Sequence, residues 1–379
     1  MIEPAEAAEA AAGDPIVSLD ELRGLARQRL PRDVFDYLDG GAGRETSLRD
    51  NQRDLDSIKL LPLVMRDVSS PDLGTILLGE RKRWPIGFSP TALHRLVHPE
   101  AEVASARAAR QLQVPLAISA MSSVTIEQIA RDSGHDDLWF QTYVFKDRSV
   151  APALAARAEA AGCKALVVTV GCPVMGSRDR NLRNRFVLPP GVSPAHFRRV
   201  EAVNHNNPLH SFSGAEIDAG ASWEDIGALG RDTALPLVVK GIMNPADVQP
   251  ALDVGAAAIV VSNHGGRQLD STSSTIRALP AIAAALDGRA SLLVDSGFRR
   301  GTDVLKAIAL GADSVLLGRP LLWALAAGGP EAVVTAIELL AAELQTSLQL
   351  AGCRTIAELR RDAGLILRLP GASAGTRSS

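Results

Sequence analysis

The stretch Ala165-Leu166-Val167-Val168-Thr169-Val170 is a nearly uninterrupted run of apolar and β-branched residues, and it decides the class of fold. Strands with one exposed face alternate apolar and polar residues, whereas strands covered on both faces carry continuous runs of this kind. Doubly covered strands occur in parallel sheets that are flanked by helices. This run therefore predicts an α/β fold with a buried parallel sheet.

Seven further runs of the same character recur along the chain. They span residues 85–89, 115–119, 138–141, 235–240, 258–262, 292–295 and 314–318. Most intervals between the runs are roughly 20 to 35 residues, which accommodates one helix and two loops per unit. Eight such strands predict a single closed (β/α)8 TIM barrel, which we assign to residues 16–370.

An N-terminal helical segment precedes the first strand. Ser18 and Glu21 have capping-box spacing, and Pro31 interrupts the helix that follows. A second helical stretch contains Tyr37 and is stopped by glycines at positions 40, 41 and 43. Residues 1–15 are rich in Ala and Glu and lack the apolar region of a signal peptide. We expect a disordered tail there and another at residues 371–379.

Composition excludes several classes of function. The formal net charge of −3 provides no field for binding nucleic acid or an anionic membrane. No uncharged apolar run approaches the roughly 18 to 20 residues needed to cross a bilayer. Three cysteines without CxxC spacing predict neither a disulfide framework nor a zinc site, so we expect a cytoplasmic protein without a metal.

One connection is too long for an ordinary loop of this fold. The segment from Arg185 to Trp223, after the fourth predicted strand, is rich in Pro, Asn, His and Ser. Long loops in barrel enzymes commonly contribute to the active site, so the segment predicts a mobile lid or an ordered excursion at the active-site face. A disordered insertion without a role is the alternative interpretation.

Polar side chains fall at the C-terminal ends of five predicted strands, on the face where barrel enzymes build their sites. They are Ser119, Gln141, Thr169, Lys240 and His264. Hydroxyl, amide and ammonium groups that converge on one barrel mouth suit a flat heteroaromatic ring with several carbonyl and nitrogen acceptors. Flavin is such a ring, so the pattern indicates a flavin site.

A phosphate-binding pattern follows the last two strands. Asp295-Ser296-Gly297-Phe298-Arg299-Arg300-Gly301 comes after the seventh strand, and Gly318-Arg319-Pro320 comes after the eighth. Loops at these positions form the recurrent phosphate site of the barrel fold. Because glycine lets backbone N–H groups approach a phosphate and arginine adds bidentate charge, we predict a phosphate site here.

The segment Ser262-Asn263-His264-Gly265-Gly266-Arg267-Gln268-Leu269-Asp270 directly follows the sixth strand. An imidazole that titrates near neutrality is a natural general base for an α-hydroxyl group. Arg267, three residues after His264, is a natural partner for a carboxylate. The segment predicts a hydroxy acid site, although position alone equally allows a structural histidine that caps a loop.

This segment is essentially the active-site signature of the FMN-dependent α-hydroxy acid oxidases and dehydrogenases, which the chain resembles over nearly its whole length after the tail. The family includes glycolate oxidase, lactate oxidase, mandelate dehydrogenase and hydroxymandelate oxidase. Further motifs that carry the resemblance are Phe35-Asp36-Tyr37, Ser89-Pro90-Thr91-Ala92, Phe140-Gln141-Thr142-Tyr143, Asn184-Arg185-Phe186, Val239-Lys240-Gly241, Arg299-Arg300-Gly301-Thr302-Asp303 and Gly318-Arg319-Pro320.

The resemblance implies FMN as cofactor and oxidation of a small 2-hydroxy acid to its 2-oxo acid, with hydride transfer to flavin N5. His264 would take the hydroxyl proton, and Arg178 and Arg267 would hold the substrate carboxylate. Tyr37 and Tyr143 would assist. Lys240 would stabilise the negative charge of the reduced ring. The residues that the resemblance assigns to FMN are Pro90, Thr91, Ala92, Ser119, Gln141, Thr169, Lys240, Ser262, Asp295, Gly297, Arg299, Gly318 and Arg319.

One position departs from the family pattern. Where the family usually reads Thr-Val-Asp-x-Pro, this chain reads Thr169-Val170-Gly171-Cys172-Pro173, so the carboxylate that normally partners the catalytic histidine is missing. Such a carboxylate fixes the histidine tautomer, and its loss from a protease triad lowers the rate about 10⁴-fold. We expect His264 to be less basic than in its relatives unless Asp179 or another carboxylate substitutes.

A second departure concerns substrate size. Met121 stands where glycolate oxidase-like members carry a tryptophan, and a flexible thioether takes less room than an indole. With Met175 beside it, the pocket would accept an aromatic, mandelate-like side chain. Two methionines that only fill the core are the alternative interpretation.

The resemblance also implies O2 or another soluble electron acceptor and a homotetramer, and we expect no nucleic acid or membrane partner. Two alternative functions stay open. One is another FMN-dependent barrel chemistry, such as flavin-assisted isomerisation. The other is an FMN-binding homologue with weak or altered chemistry, motivated by Gly171.

Overall fold

The computed structural model describes residues 16–199, 212–213 and 216–369. Eight parallel strands close into a barrel in chain order. They are β1 (Ile86–Thr91), β2 (Leu116–Ser119), β3 (Leu138–Thr142), β4 (Ala165–Thr169), β5 (Leu237–Ile242), β6 (Ala256–Val261), β7 (Ser291–Asp295) and β8 (Ser314–Leu317). Val315 of β8 pairs with Ile86 of β1 and closes the ring. The predicted TIM barrel is confirmed, while the two predicted tails lie outside the described residues.

Helices follow the strands and cover the barrel. After three N-terminal helices, α1 (Leu19–Arg29), α2 (Arg32–Asp39) and α3 (Thr46–Ser57), the others come in chain order. They are α4 (Ala101–Leu112), α5 (Ile126–Ser133), α6 (Val150–Ala160), α7 (Asp179–Asn184), α8 (Trp223–Arg231), α9 (Val248–Asp253), α10 (Thr275–Leu286), α11 (Gly301–Ala309), α12 (Arg319–Leu350) and α13 (Ile356–Ile366). Each strand of the barrel is therefore followed by at least one helix.

Burial on both faces explains the continuous apolar runs. Along β4, Val167 belongs to the cluster inside the barrel, while Leu166 and Val168 belong to the cluster between barrel and helices. All three side chains are 2% exposed or less. A polar residue on either face would lose its hydration without a partner, so both faces of the strand are apolar.

The two ends of the barrel differ. A hairpin of Thr75–Leu77 and Glu80–Lys82 lies against the N-terminal ends of the strands, where the Leu78 amide donates to Ser291 Oγ at 3.1 Å. Leu77 is 1% exposed and packs with the apolar cluster inside the barrel. The N-terminal end is thus sealed with apolar contacts, which leaves the C-terminal end for a ligand.

The N-terminal segment forms as predicted. Ser18 caps α1 by accepting a hydrogen bond from the Glu21 amide at 3.3 Å, and Pro31 precedes α2. Helix α1 packs along α12, whose backbone breaks at Gly328 and Gly329. Helix α12 is long and apolar enough to cross a membrane, but more than half of its most apolar stretch is buried inside the protein, which is typical of a core helix.

The long connection between β4 and β5 begins with α7 and ends with α8. Between them, Arg198–Arg199 pairs with Phe212–Ser213 in a short antiparallel ladder, and Ile217 bridges to Phe145 just after β3. The bridge to Phe145 places the described end of this connection at the C-terminal face of the barrel. The part of the predicted lid formed by residues 200–211 and 214–215 lies outside the described residues.

Candidate active site

A cavity of about 560 Å³ opens at the C-terminal ends of the barrel strands. It lies on the face that the sequence predicts for the site. Its lining residues range from Tyr37 to Leu322 along the chain. The predicted site residues that line it are Tyr37, Pro90, Thr91, Ala92, Ser119, Met121, Tyr143, Arg178, Lys240, His264, Arg267, Asp295, Gly297, Arg299, Gly318 and Arg319.

Three predicted cofactor residues lie behind the wall of the cavity. Gln141 is 1% exposed and accepts a hydrogen bond from the cavity-lining Ser119 at 3.0 Å. Ser262 accepts from Lys240 Nζ at 2.9 Å, and Thr169 pairs with Lys240 across the β4–β5 ladder. The Gln141 and Ser262 side chains support residues that face the cavity. The assignment of all three residues to direct flavin contact stays a prediction.

Lys240 is held in a buried network at the floor of the site. Its ammonium lies 2.8 Å from Asp295 Oδ2, and both side chains are almost fully buried. The same carboxylate oxygen accepts from Ser89 Oγ at 2.9 Å. Burial alone would raise the pKa of Asp295, but the Lys240 ammonium and the serine hydroxyls hold that pKa below its ordinary value. Because both charges are paired, the ammonium keeps a fixed place beside the cavity.

Two arginines gather where the last two loops meet. Arg299 donates to its neighbour's carbonyl, Phe298 O, at 2.7 Å and lies over the ring of Trp323. Arg319, at the start of α12, donates to three backbone carbonyls: Leu38 O, Gly40 O and Gly265 O. Within the described residues, neither guanidinium forms an ion pair with a carboxylate. The arrangement concentrates positive charge at the predicted phosphate position.

This end of the cavity fits a phosphate. Desolvation and the charge of Arg319 lower the pKa of Arg299 to about 10, and desolvation lowers that of Arg319 to about 10. Guanidinium groups stay protonated in proteins, so an anion bound beside them would be stabilised by both charges. Among the residues that the structure describes, the buried Nε of Arg299 has no hydrogen-bond partner. A phosphate group would supply both the charge and the acceptor.

The loop that carries His264 has an unusual backbone. His264 has φ +55°, and Gly265 and Gly266 follow with φ +67° and +72°. Only glycine enters this left-handed region without strain, so the histidine conformation requires outside support. That support includes a hydrogen bond from the His264 amide to Ser262 Oγ at 3.1 Å. The strained turn points the imidazole into the cavity.

The imidazole contacts a thiol that stands next to Gly171, the position that departs from the family pattern. Cys172 Sγ lies 3.2 Å from His264 Nδ1. No carboxylate hydrogen-bonds to His264 within the described part of the chain. Asp179, suggested by the sequence as a substitute, lies at the start of α7. Desolvation and the charges of Lys240 and Arg178 lower the pKa of His264 well below its ordinary value.

Two arginines approach the imidazole from different loops. Arg178 lies just before α7 and is 5% exposed. Arg267 donates to Gly40 O at 2.8 Å and lies over the ring of Tyr37. Desolvation and the charges of Arg178 and Arg319 lower the pKa of Arg267 well below its ordinary value. An anion bound here would meet both guanidinium groups, which line the same cavity.

Two tyrosines complete this part of the wall. Tyr37 stacks on Phe186 with ring centroids 4.5 Å apart, and Tyr143 packs edge-on against Phe145. Desolvation and the neighbouring Cys172 raise the pKa of Tyr143 above its ordinary value. The Tyr143 hydroxyl therefore keeps its proton and can donate a hydrogen bond to an oxygen in the cavity.

Sequence reasoning missed two residues of this site. Asn51 of α3 exchanges amide hydrogen bonds with Asn263 at 3.0 and 2.8 Å and so anchors the His264 loop. Nothing local in the sequence marks Asn51, because its partner lies 212 residues away. Cys172 was not assigned to the site, although it stands next to Gly171 in the motif that lacks the usual carboxylate. That neighbouring position was the available signal for a role beside His264. The described residues contain no cluster of His, Cys, Asp and Glu that could hold a metal ion.

Several apolar side chains line the cavity beside the charged ones. Met121 and Met175, predicted to lie side by side, both line it together with Val174 and Ile217. At the mouth, Lys146 Nζ lies 3.0 Å from Glu216 Oε2. The cavity lining therefore contains both cationic and apolar side chains.

Comparison with known proteins identifies relatives of this chain. A family model described as "FMN-dependent dehydrogenase" matches residues 26–365. A 4-hydroxymandelate oxidase of Amycolatopsis orientalis is 44% identical over 352 residues, which cover 91% of this chain and 97% of that protein. An L-lactate oxidase of a Nostoc species is 41% identical over 351 residues, or 90% and 96% of the two chains.

Solved structures agree with these sequence matches. A mandelate oxidase structure superposes with a TM-score of 0.85 at 43% identity, covering 94% of this chain and 99% of that one. A structure of mandelate oxidase with (S)-2-phenylpropionate gives a TM-score of 0.84 at 43% identity, with the same coverage. The similarity extends over the whole barrel and is far above what a shared fold alone requires.

Proposed function

The chain belongs to the family of FMN-dependent 2-hydroxy acid oxidases, and from this premise we propose that it oxidises an aromatic, mandelate-like 2-hydroxy acid with O2 as electron acceptor. Membership of the family establishes FMN and the oxidation of a 2-hydroxy acid. The preference for an aromatic side chain is supported by one observation: Met121 and Met175 line the cavity together with other apolar side chains. Unbranched thioethers adapt to the shape of a ring and bury its apolar surface.

The residues at the inner end suit FMN. Arg299 and Arg319 would bind the phosphate, helped by the close approach that Gly297 and Gly318 allow. Lys240, fixed between Asp295 and Ser262, would hold its charge against the ring system. Bound FMN supplies the acceptor for the hydride of the substrate. The protein thus binds and orients the cofactor at one end of the cavity and leaves the other end for the acid.

The substrate carboxylate would bind to Arg178 and Arg267. Both guanidinium groups line the same cavity as His264, so a 2-hydroxy acid held by its carboxylate presents its hydroxyl group near the imidazole. Neutral His264 would accept the hydroxyl proton. Tyr143, whose hydroxyl keeps its proton, would donate a hydrogen bond to a substrate oxygen. Tyr37 would support the carboxylate from the other side.

An anaerobic reduction experiment tests this proposal. The purified yellow protein is mixed with glycolate, lactate, mandelate and 4-hydroxymandelate in turn, and the flavin absorbance is followed. We expect the aromatic acids to bleach the flavin with the highest second-order rate constants. On admission of air, the reduced protein should form hydrogen peroxide. Faster reduction by glycolate than by mandelate would contradict the aromatic preference.

A substitution at Met121 sharpens the test. Met121→Trp should lower the rate constant for mandelate by roughly tenfold or more while glycolate is affected little, because an indole removes space that only the larger side chain needs. Met65→Trp is the matched control, because Met65 is fully exposed. An equal loss with all four acids would mean that Met121 supports the fold and does not select the substrate.

A second candidate function rests on the thiol beside His264. Without a carboxylate partner the histidine would be a poorer base, and the chain would then bind FMN but oxidise 2-hydroxy acids weakly. The same anaerobic mixing separates the two functions. A flavin that no acid bleaches within minutes would favour the weak-activity alternative over the oxidase.

The assembly is proposed from the family resemblance, and the location from the three cysteines without CxxC spacing. We propose a cytoplasmic homotetramer, whose mass would be four times the 39.9 kDa of one chain. Light scattering on the eluted protein measures this mass directly. A monomeric or dimeric mass would contradict the tetramer and leave the proposed reaction unaffected.

A further inference from the structure

Cys172 occupies a position that the resemblance does not explain. It lies in the loop after β4, is 4% exposed, and lines the cavity. Its sulfur reaches Nδ1 of His264 at 3.2 Å, although the two residues are 92 positions apart in the sequence. The contact uses one ring nitrogen, so Nε2 is the nitrogen left for a substrate.

The thiol and the imidazole are both neutral. Desolvation raises the pKa of Cys172 to about 12, and desolvation with the surrounding positive charges lowers the pKa of His264. A reactive cysteine has a lowered pKa and forms a thiolate–imidazolium pair. Cys172 has the opposite properties, so it does not act as a nucleophile toward the substrate.

We propose that Cys172 is the positioning residue of His264: the imidazole Nδ1–H donates to the thiol sulfur, which leaves Nε2 unprotonated to accept the hydroxyl proton of the substrate. This inference rests on the proposed role of His264 as base. In the opposite arrangement the thiol would donate to Nδ1, and Nε2 would carry a hydrogen that blocks proton uptake. The contact to sulfur therefore takes over the tautomer control that a carboxylate provides elsewhere.

The Cys172 thiol also affects how well the protonated form of His264 is stabilised among the surrounding charges. Four positive charges lower the pKa of His264. They belong to Lys240 of β5, Arg178 before α7, Arg267 of the loop that carries His264, and Arg319 of α12. Tyr143 lies close to Cys172, and Asp295, a carboxylate of the same site, is paired with Lys240. Sulfur is a weak acceptor and carries no charge, so it stabilises the imidazolium less than a carboxylate would.

The tautomer is measured by ¹⁵N NMR of the FMN-loaded protein labelled at its seven histidines. His264→Asn identifies the signals of His264, and neutral pH is used throughout. We expect a protonated Nδ1 and an unprotonated Nε2 in the unmodified protein. A His264 that carries its hydrogen on Nε2, or that is doubly protonated, would overturn the proposal. This measurement needs no substrate and therefore stands apart from any failure of the proposed function.

Three substitutions at Cys172 test the effect on rate. Cys172→Ala removes the acceptor and should lower the rate constant of flavin reduction about 10- to 100-fold with little change in KM. Cys172→Ser keeps a smaller acceptor and should lie between. Cys163→Ala is the matched control, because Cys163 is a buried thiol that does not line the cavity. Unchanged reduction in Cys172→Ala, with the flavin spectrum intact, would contradict a positioning role.

The pH profile of Cys172→Asp gives the most specific outcome. A base must be neutral to act, so the rate falls as pH drops through the pKa of His264. A carboxylate at position 172 would raise that pKa, and the acidic limb should move to higher pH by about 1 to 3 units. An acidic limb that stays in place, in a variant that binds FMN normally, would show that position 172 does not act through the imidazole.

Discussion

The two ends of the cavity differ in how they are held together. At the phosphate end, Arg299 and Arg319 are held by backbone carbonyls and lack carboxylate partners within the described residues, so that end depends on an anion to complete it. At the substrate end, the strained turn at His264 is held by residues of the protein itself, including Asn263 and Cys172. The first end is made for a bound group, while the second is organised before any ligand arrives.

The largest expected effect concerns the substrate end. His264→Asn removes the proton acceptor, so the rate constant of flavin reduction should fall by about 10² to 10⁴. FMN binding should persist, because the phosphate end is untouched. His98→Asn serves as control, since His98 does not line the cavity. Stopped-flow absorbance measures the rate, and a loss below tenfold would show that another group accepts the proton.

The phosphate end should show the reverse pattern. Arg299→Gln removes one positive charge, so the dissociation constant of FMN should rise by about 10- to 100-fold, while the loaded enzyme reduces at nearly the normal rate. Fluorescence titration of the apoprotein with FMN and with riboflavin measures the change. If riboflavin binding weakens equally, Arg299 does not contact the phosphate and the difference between the two ends disappears.

The pH dependence of the unmodified enzyme tests the substrate end without a mutation. Because desolvation and nearby cations lower the pKa of His264, the base stays neutral below the usual range of histidine. The rate of reduction should therefore stay level as pH falls through 6, which lies near the ordinary histidine pKa of about 6.5. At acidic pH, the reduction rate of a relative that carries the carboxylate should fall about tenfold further than the rate of this protein. Identical acidic limbs in the two enzymes would contradict the lowered pKa.

The smallest effect is expected at the mouth. The Lys146–Glu216 ion pair is largely exposed, and exposed pairs contribute about 1 kcal/mol or less. Lys146→Met should change KM by about twofold and leave the rate of reduction unchanged. Steady-state kinetics in low and high salt measures it. A large fall in the rate of reduction would show that Lys146 at the mouth contributes to catalysis.

The barrel and its polar end were predictable because both follow local rules. Continuous apolar runs such as residues 165–170 identify doubly covered strands, and polar residues such as Lys240 mark where strands end. The motif around His264 and the loop containing Arg299 could likewise be recognised from the residues themselves. Gln141 was predictable as a residue near the site, but its place behind Ser119 was not.

By itself the sequence determined the barrel, the face that carries the site, the FMN family and the absence of the usual aspartate at Gly171. Only the tertiary structure decided what stands in its place, because the contact between Cys172 and His264 joins two loops that no local pattern connects. It also decided that Asn51 anchors the turn and that Arg299 and Arg319 converge. Side-chain direction depends on how distant segments pack, and that information is absent from the spacing of residues along the chain.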